Sequence, residues 1–192
     1  YEIGVRLVGS EMCIRDRIIK IDNAQWYFPR APYESDSGSG FTWFHGSDKT
    51  GWEYEKTIAG LTDLLAKIIS YGFSNKDIYL VGFSQGACLA LEFALRLPYA
   101  IGGIIPIAGF IKFKEKVESE GTIESKGTPV LLLHGNQDKV IPVNASMTSQ
   151  AILKERKNPV FLKTYDAGHK IPIKIAPIIK EFIQKTNDFT LV

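Results

Sequence analysis

The apolar positions of the chain follow two periods in alternation. Ile78-Tyr79-Leu80-Val81 is a short apolar run of β-branched and aromatic residues, the pattern of a buried strand. Residues 102–108 and 160–165 predict two more strands. Pro129-Val130-Leu131-Leu132-Leu133-His134 is a continuous apolar run, as in a parallel strand buried on both faces. Elsewhere the period becomes helical. Ile58, Leu61, Leu64, Leu65, Ile68 and Ile69 recur at helical spacing within residues 52–71, and Gly72 follows as the stop. Residues 87–97, ended by Pro98, predict a second helix, and residues 144–157 and 173–185 two others. Strands alternating with helices predict an α/β fold with a doubly wound, mostly parallel sheet flanked by helices.

The first quarter of the chain is less regular. Residues 18–21 and 24–28 are apolar and β-prone, and Pro29-Arg30-Ala31-Pro32 then halts regular structure. Residues 33–51 mix Gly, Ser, Asp and aromatics without a period and predict a long surface loop, a feature usually tied to function. Tyr33, Phe41, Trp43, Phe44 and Trp52 can wall a pocket for an apolar group or simply anchor the loop. Residues 112–127 are charged and bounded by glycine, and predict an exposed excursion.

Composition narrows the choice of class. A chain of 192 residues suits a single domain, expected over residues 18–192, that buries roughly 70% of its unfolded surface. A net charge of +2 with scattered Lys and Arg gives no nucleic-acid footprint. The longest apolar stretch, residues 99–111, is too short for stable membrane insertion and is broken by glycines and Pro106. Cys13 and Cys88 make no disulfide framework. The start shows no apolar signal-peptide core, so the expected compartment is cytoplasmic. The run from Val5 to Arg17 resembles translated sequencing-adapter read-through, and residues 1–17 are expected not to be native.

The chemistry gathers at Gly82-Phe83-Ser84-Gln85-Gly86, between a strand and a helix. A serine there sits on a tight, strained turn that lifts its hydroxyl clear of the sheet, and glycines avoid collision with strand and helix. The amides that follow, beginning with Gln85, open a helix N-terminus that favours negative charge. Two further loops follow strands: His134-Gly135-Asn136-Gln137-Asp138-Lys139-Val140-Ile141-Pro142 and Asp166-Ala167-Gly168-His169-Lys170-Ile171. A serine hydroxyl needs an imidazole to take its proton, and the imidazole needs a carboxylate to orient it. Ser84, Asp138 and His169 supply the three in chain order. His45 and His134 are the other candidate bases, His134 reading better as a structural hydrogen-bonding residue. Asp166 is the other candidate acid, with a turn-capping role as its alternative.

With Gly-Phe-Ser-Gln-Gly-Ala, His-Gly-Asn-Gln-Asp-Lys-Val-Ile-Pro and Gly-His-Lys-Ile in place, the chain resembles the phospholipase/carboxylesterase family of α/β-hydrolases, which includes the acyl-protein thioesterases. Phe28-Pro29-Arg30-Ala31-Pro32 and Trp43-Phe44 resemble the family's segment before its long helix. The resemblance implies hydrolysis of carboxylic esters or thioesters through an acyl-serine, without metal or cofactor. It implies Ser84 as nucleophile, His169 as base and then acid, Asp138 as orienting carboxylate, and the Gln85 amide as an oxyanion donor. Trp43, Phe44, Phe83 and Ile141 are grouped as candidate substrate contacts. The implied partner is a small ester or thioester, and a homodimer is the candidate assembly.

The chain departs from the family pattern at its start. The family's early strand ends in a His-Gly-rich loop that supplies a second oxyanion donor, and Leu7-Val8-Gly9 is a faint echo without the histidine. Too few residues then precede Ala24 for the family's next helix. The expectation is a chain lacking its first strand or strands, a helix and one donor, and therefore impaired. The competing reading from another class is a catalytically silent binder that keeps the pocket.

Overall fold

The computed structural model describes residues 21, 23–35, 38 and 40–185. The expectations for residues 1–17 and for a strand at 18–21 lie on, or almost wholly on, residues outside that set. The chain forms two compact units, divided between Phe73 and Ser74.

In the first unit, residues 24–28 form no strand. Trp26 and Phe28 stack on each other at 6.0 Å between ring centroids. Aromatics two apart mimic strand alternation, while the prolines at 29 and 32 deny the stretch a ladder. Residues 33–51 are also more ordered than their lack of period suggests. They contribute to two antiparallel pairs, β1 (Tyr33–Glu34) with β2 (Phe41–Thr42) and β3 (His45–Ser47) with β4 (Gly51–Glu53). The turn of the second pair is closed by side chains, Ser47 N–H donating to Thr50 Oγ1 at 3.0 Å and Thr50 N–H to Ser47 Oγ at 3.2 Å.

Helix α1 (Glu55–Ser70) follows. Thr57, Leu61, Leu65 and Ile68 form its buried stripe, with Ile58, Leu64 and Ile69 half-buried beside it. Gly72 ends it as expected: its φ of +96° suits glycine, and its N–H reaches the Ile69 carbonyl at 2.9 Å.

The second unit holds a four-stranded parallel sheet in the order β5 (Tyr79–Phe83), β6 (Gly103–Ile107), β7 (Val130–Gly135), β8 (Val160–Tyr165). Every residue of β6 and β7 is buried, as in a sheet covered on both faces. The strands alternate with α2 (Gln85–Ala94), α3 (Lys114–Glu120) and α4 (Val143–Glu155), and α5 (Ala176–Gln184) follows the last of them. Phe182 of α5 is fully buried and meets Tyr79 of β5 and Phe161 of β8 edge-on. A side chain on Gly103 would strike the Phe182 ring at 2.8 Å.

The excursion expected at 112–127 is largely exposed, and it is anchored at two points. It forms α3, with Val117 buried, and a 3-10 turn at Glu124–Gly127 with Ser125 buried. Ser125 Oγ donates to the Leu95 carbonyl at 2.8 Å, and Asn158 Nδ2 donates to the Ser125 carbonyl at 2.8 Å. Glu92, buried in α2, takes the Phe113 N–H at 2.8 Å and pairs with Arg96, which also reaches Glu120 at 3.2 Å. A single buried apolar residue in α3 is enough to hold such a segment when buried polar groups do the rest, and a charged sequence conceals that.

Candidate active site

Ser84 stands between the end of β5 and the start of α2 with φ +53° and ψ −118°, a backbone conformation that a residue with a side chain rarely adopts. The turn is tight enough that a Cβ on Gly82 would lie 2.2 Å from the Gly86 carbonyl oxygen. Ser84 N–H continues the sheet ladder to the Ile107 carbonyl at 2.9 Å. The Ala87 and Cys88 amides turn back to the Ser84 carbonyl, at 3.0 and 3.1 Å. Phe83, the last residue of β5, lays its ring 4.8 Å from that of His169.

Asp138 lies in the loop after β7 and is 9% exposed. Its Oδ1 accepts the Val140 and Ile141 amides at 2.8 and 2.9 Å, winding the loop around the carboxylate. Its Oδ2 accepts His169 Nδ1–H at 2.7 Å. Burial alone would push this carboxyl up, but the His169 hydrogen bond, the two amides and the His169 charge together outweigh it and hold Asp138 below its ordinary value. Beyond the ring, His169 Nε2 is 3.0 Å from Ser84 Oγ. With its hydrogen on Nδ1, the imidazole presents a lone pair to the serine hydroxyl.

The loops carrying Asp138 and His169 are bound to each other. Asn136 N–H donates to the Tyr165 carbonyl at 2.9 Å and Gln137 N–H to the Ala167 carbonyl at 3.0 Å. A Cβ on Gly135 would sit 2.3 Å from the Ala167 oxygen and 2.6 Å from that of Gly168, so only glycine permits this approach. Tyr165 braces the histidine loop by donating its hydroxyl to the Lys170 carbonyl at 2.9 Å. Burial and the Asp138 charge push that phenol up to about 12, so it stays a donor.

Ser84, Asp138 and His169 are thus brought together within the second unit. Ile141 contributes backbone there, its N–H to Asp138 and its carbonyl to His134. Gln85 is exposed at the start of α2. Asp166 takes Gln137 Nε2, tying the two loops. Of the other histidines, His45 stacks on Tyr33 at 5.9 Å in the first unit, and His134 is wholly buried. Trp43 and Phe44 belong to the first unit, where Phe44 is 3% exposed against Tyr54 and the Trp43 carbonyl accepts Thr57 Oγ1–H at 2.7 Å. Sequence reading passes over Gly135, Tyr165 and the closeness of His134 to Asp138. The signal for the last is their spacing of four residues with a glycine between them. No helix among the described residues is long and apolar enough to cross a membrane.

Comparison with known proteins places the chain in a family and a fold. The profile of the family described as Phospholipase/Carboxylesterase matches residues 12–187. An Arabidopsis thaliana protein named probable carboxylesterase SOBER1-like is 30% identical over 162 residues, covering 78% of this chain and 62% of its own length. Acyl-protein thioesterase 1 of Kluyveromyces lactis is 33% identical over 133 residues, 63% of this chain and 58% of that protein. The chain therefore spans about three fifths of the length of these two relatives. The crystal structure of Arabidopsis thaliana SOBER1 F65L superposes with a TM-score of 0.77 at 25% identity, over 87% of this chain and 86% of that one.

Proposed function

We propose that this chain, which belongs to the phospholipase/carboxylesterase family of α/β-hydrolases, cleaves carboxylic esters of small or medium acyl chains through an acyl-serine intermediate. The observation that carries this reading is the continuous run from Asp138 Oδ2 through His169 to Ser84 Oγ, at 2.7 and 3.0 Å. His169 Nε2 takes the Ser84 hydroxyl proton as Oγ attacks the ester carbon. Asp138 keeps the ring in the right tautomer and stabilises the imidazolium that forms. The carbonyl oxygen, now negative, is received at the N-terminus of α2, where the Gln85 amide is the assigned donor. His169 then returns the proton to the alkoxide, the alcohol leaves, and Ser84 holds the acyl group. Water repeats the sequence, its proton going to His169, and releases the acid while restoring the serine.

A thioester can follow the same route with a thiolate as leaving group. The likeness to a protein named acyl-protein thioesterase favours that as the second reading. Phe83 and Ile141, which lie in the same unit as Ser84, remain the proposed acyl contacts. The deciding experiment is intact-mass analysis of the folded chain after a fluorophosphonate, beside Ser84→Ala, followed by turnover of nitrophenyl esters and acyl thioesters of increasing length. One adduct on the wild type, absent from Ser84→Ala, with best turnover on short esters, is the expected result. No adduct on a chain that melts cooperatively would overturn the hydrolase reading in favour of a silent binder. Turnover confined to long thioesters would favour the second reading.

A further inference from the structure

His134 has a set of contacts that the mechanism above does not use. It lies near the end of β7 with a fully buried ring, and both ring nitrogens are engaged. Nε2 is 2.8 Å from the Ile141 carbonyl oxygen, which can only accept, so Nε2 carries a hydrogen. Nδ1 is 2.6 Å from Ser146 Oγ in α4. Ser146 Oγ also lies 2.8 Å from the Gly109 carbonyl oxygen, which can only accept; a hydroxyl hydrogen spent there leaves the serine oxygen to accept from Nδ1. Three contacts require three hydrogens, and a neutral imidazole with one hydroxyl supplies two. An imidazole with a hydrogen on each nitrogen supplies all three.

The charge of such a ring has a partner. His134 Nε2 lies 3.4 Å from Asp138 Oδ2, the same oxygen that accepts His169 Nδ1–H. Resting on the triad assignment above, we propose that His134 is a positioning residue with a hydrogen on both ring nitrogens. In this role it fastens the Asp138 loop through the Ile141 carbonyl and shares the Asp138 charge with His169.

The groups around the ring agree with this role. Helix α4 offers a hydroxyl, the segment after β6 offers the Gly109 carbonyl through that hydroxyl, and the ring's own loop offers the Ile141 carbonyl and Asp138. From β8, Tyr165 feels the Asp138 charge but remains a neutral phenol. Asp138 is thus a carboxylate addressed by two imidazoles, and what His134 takes of its charge is lost to the stabilisation of a cation on His169. A neutral residue at 134 would leave the whole of the Asp138 charge facing His169.

The first test needs no change at His134. Histidine labelled with nitrogen-15 is incorporated into the folded chain, and the spectra of His45→Gln and His169→Gln assign the remaining signals. At pH 7 both His134 nitrogens are expected to resonate as N–H; one in the unprotonated range would overturn the hydrogen count. The second test is the pH profile of kcat/KM for His134→Gln. The loss of kcat should be about 10- to 100-fold with KM nearly unchanged, and the acid limb should move up by about one pH unit. A loss of rate with an unmoved limb would reduce His134 to packing and overturn the proposal. Full activity of Ser84→Ala would defeat the triad assignment instead. The nitrogen signals are read independently of activity, so the two failures are distinguishable.

Discussion

The closeness of the Asp138 and His169 loops can be tested through one methyl group. In Gly135→Ala the new Cβ would lie 2.3 Å from the Ala167 oxygen and 2.6 Å from the Gly168 oxygen. Carbon and oxygen settle at about 3.3 Å or more, so the loops must part by about 1 Å. Residue 169 follows directly, and its ring has to meet Asp138 at 2.7 Å and Ser84 at 3.0 Å at once. A misplacement of about 1 Å in a reacting group costs on the order of 100-fold in rate, and a crowded interior costs about 1–3 kcal/mol of stability. The expected outcome is a fall in kcat/KM on a nitrophenyl ester of about 100-fold, with fluorophosphonate labelling slowed in parallel. Urea denaturation should show a loss of about 1–3 kcal/mol with an unchanged m-value. A variant that loses stability but keeps its rate within about threefold would show that loop spacing does not set the position of His169, and the reasoning would fall.

Other substitutions test the scaffold. Gly60 sits inside α1, and a methyl added there would meet nothing within 4 Å, so Gly60→Ala should stabilise the chain by about 0.5–1 kcal/mol in urea titration without changing turnover. Glu92 is a buried anion paired with Arg96 and bonded to the Phe113 amide. Glu92→Ala should cost about 3 kcal/mol by the same titration, and Glu92→Gln, which keeps an acceptor for Phe113, should cost measurably less. Asp138 is held low in the folded chain, so it adds stability above the unfolded carboxyl value of about 3.9, and this is lost as pH falls through the folded value. The stability gap between wild type and Asp138→Asn should be level above about pH 5 and close below about pH 4. A gap that widens on acidification would contradict the lowered value.

The sheet is legible in the sequence because buried parallel strands are written as unbroken apolar runs. Residues 160–165 match β8 to the residue, 102–108 bracket β6 by one residue at each end, and 129–134 run one residue ahead of β7. Helix α2 begins at Gln85 rather than 87, because the serine turn itself serves as its N-cap and the apolar count starts late. The two hairpins of residues 33–53 escape because strands of two or three residues are too short to show alternation. Ser84 is legible from its glycine-flanked strand-to-helix turn, and Asp138 and His169 because each stands in a loop after a strand, the histidine with only two others in the chain. The bond between those loops is not, since Gly135 meets Ala167 only after the chain has returned through α4 and β8. His134 reads as structural from its strand-end place alone. Its neighbour, Asp138, becomes visible only when the turn closes.

In the second unit the strands lie side by side in the order in which they are synthesised. The ribosome therefore makes the bent serine first, and its base follows 85 residues later. A nascent or prematurely terminated product ending before residue 169 carries the serine without the imidazole that takes its proton. Under the triad assignment it cannot damage the esters around it. Reactivity begins only when β8 has docked and its loop has closed, so labelling of Ser84 by a fluorophosphonate doubles as a clock for the end of folding.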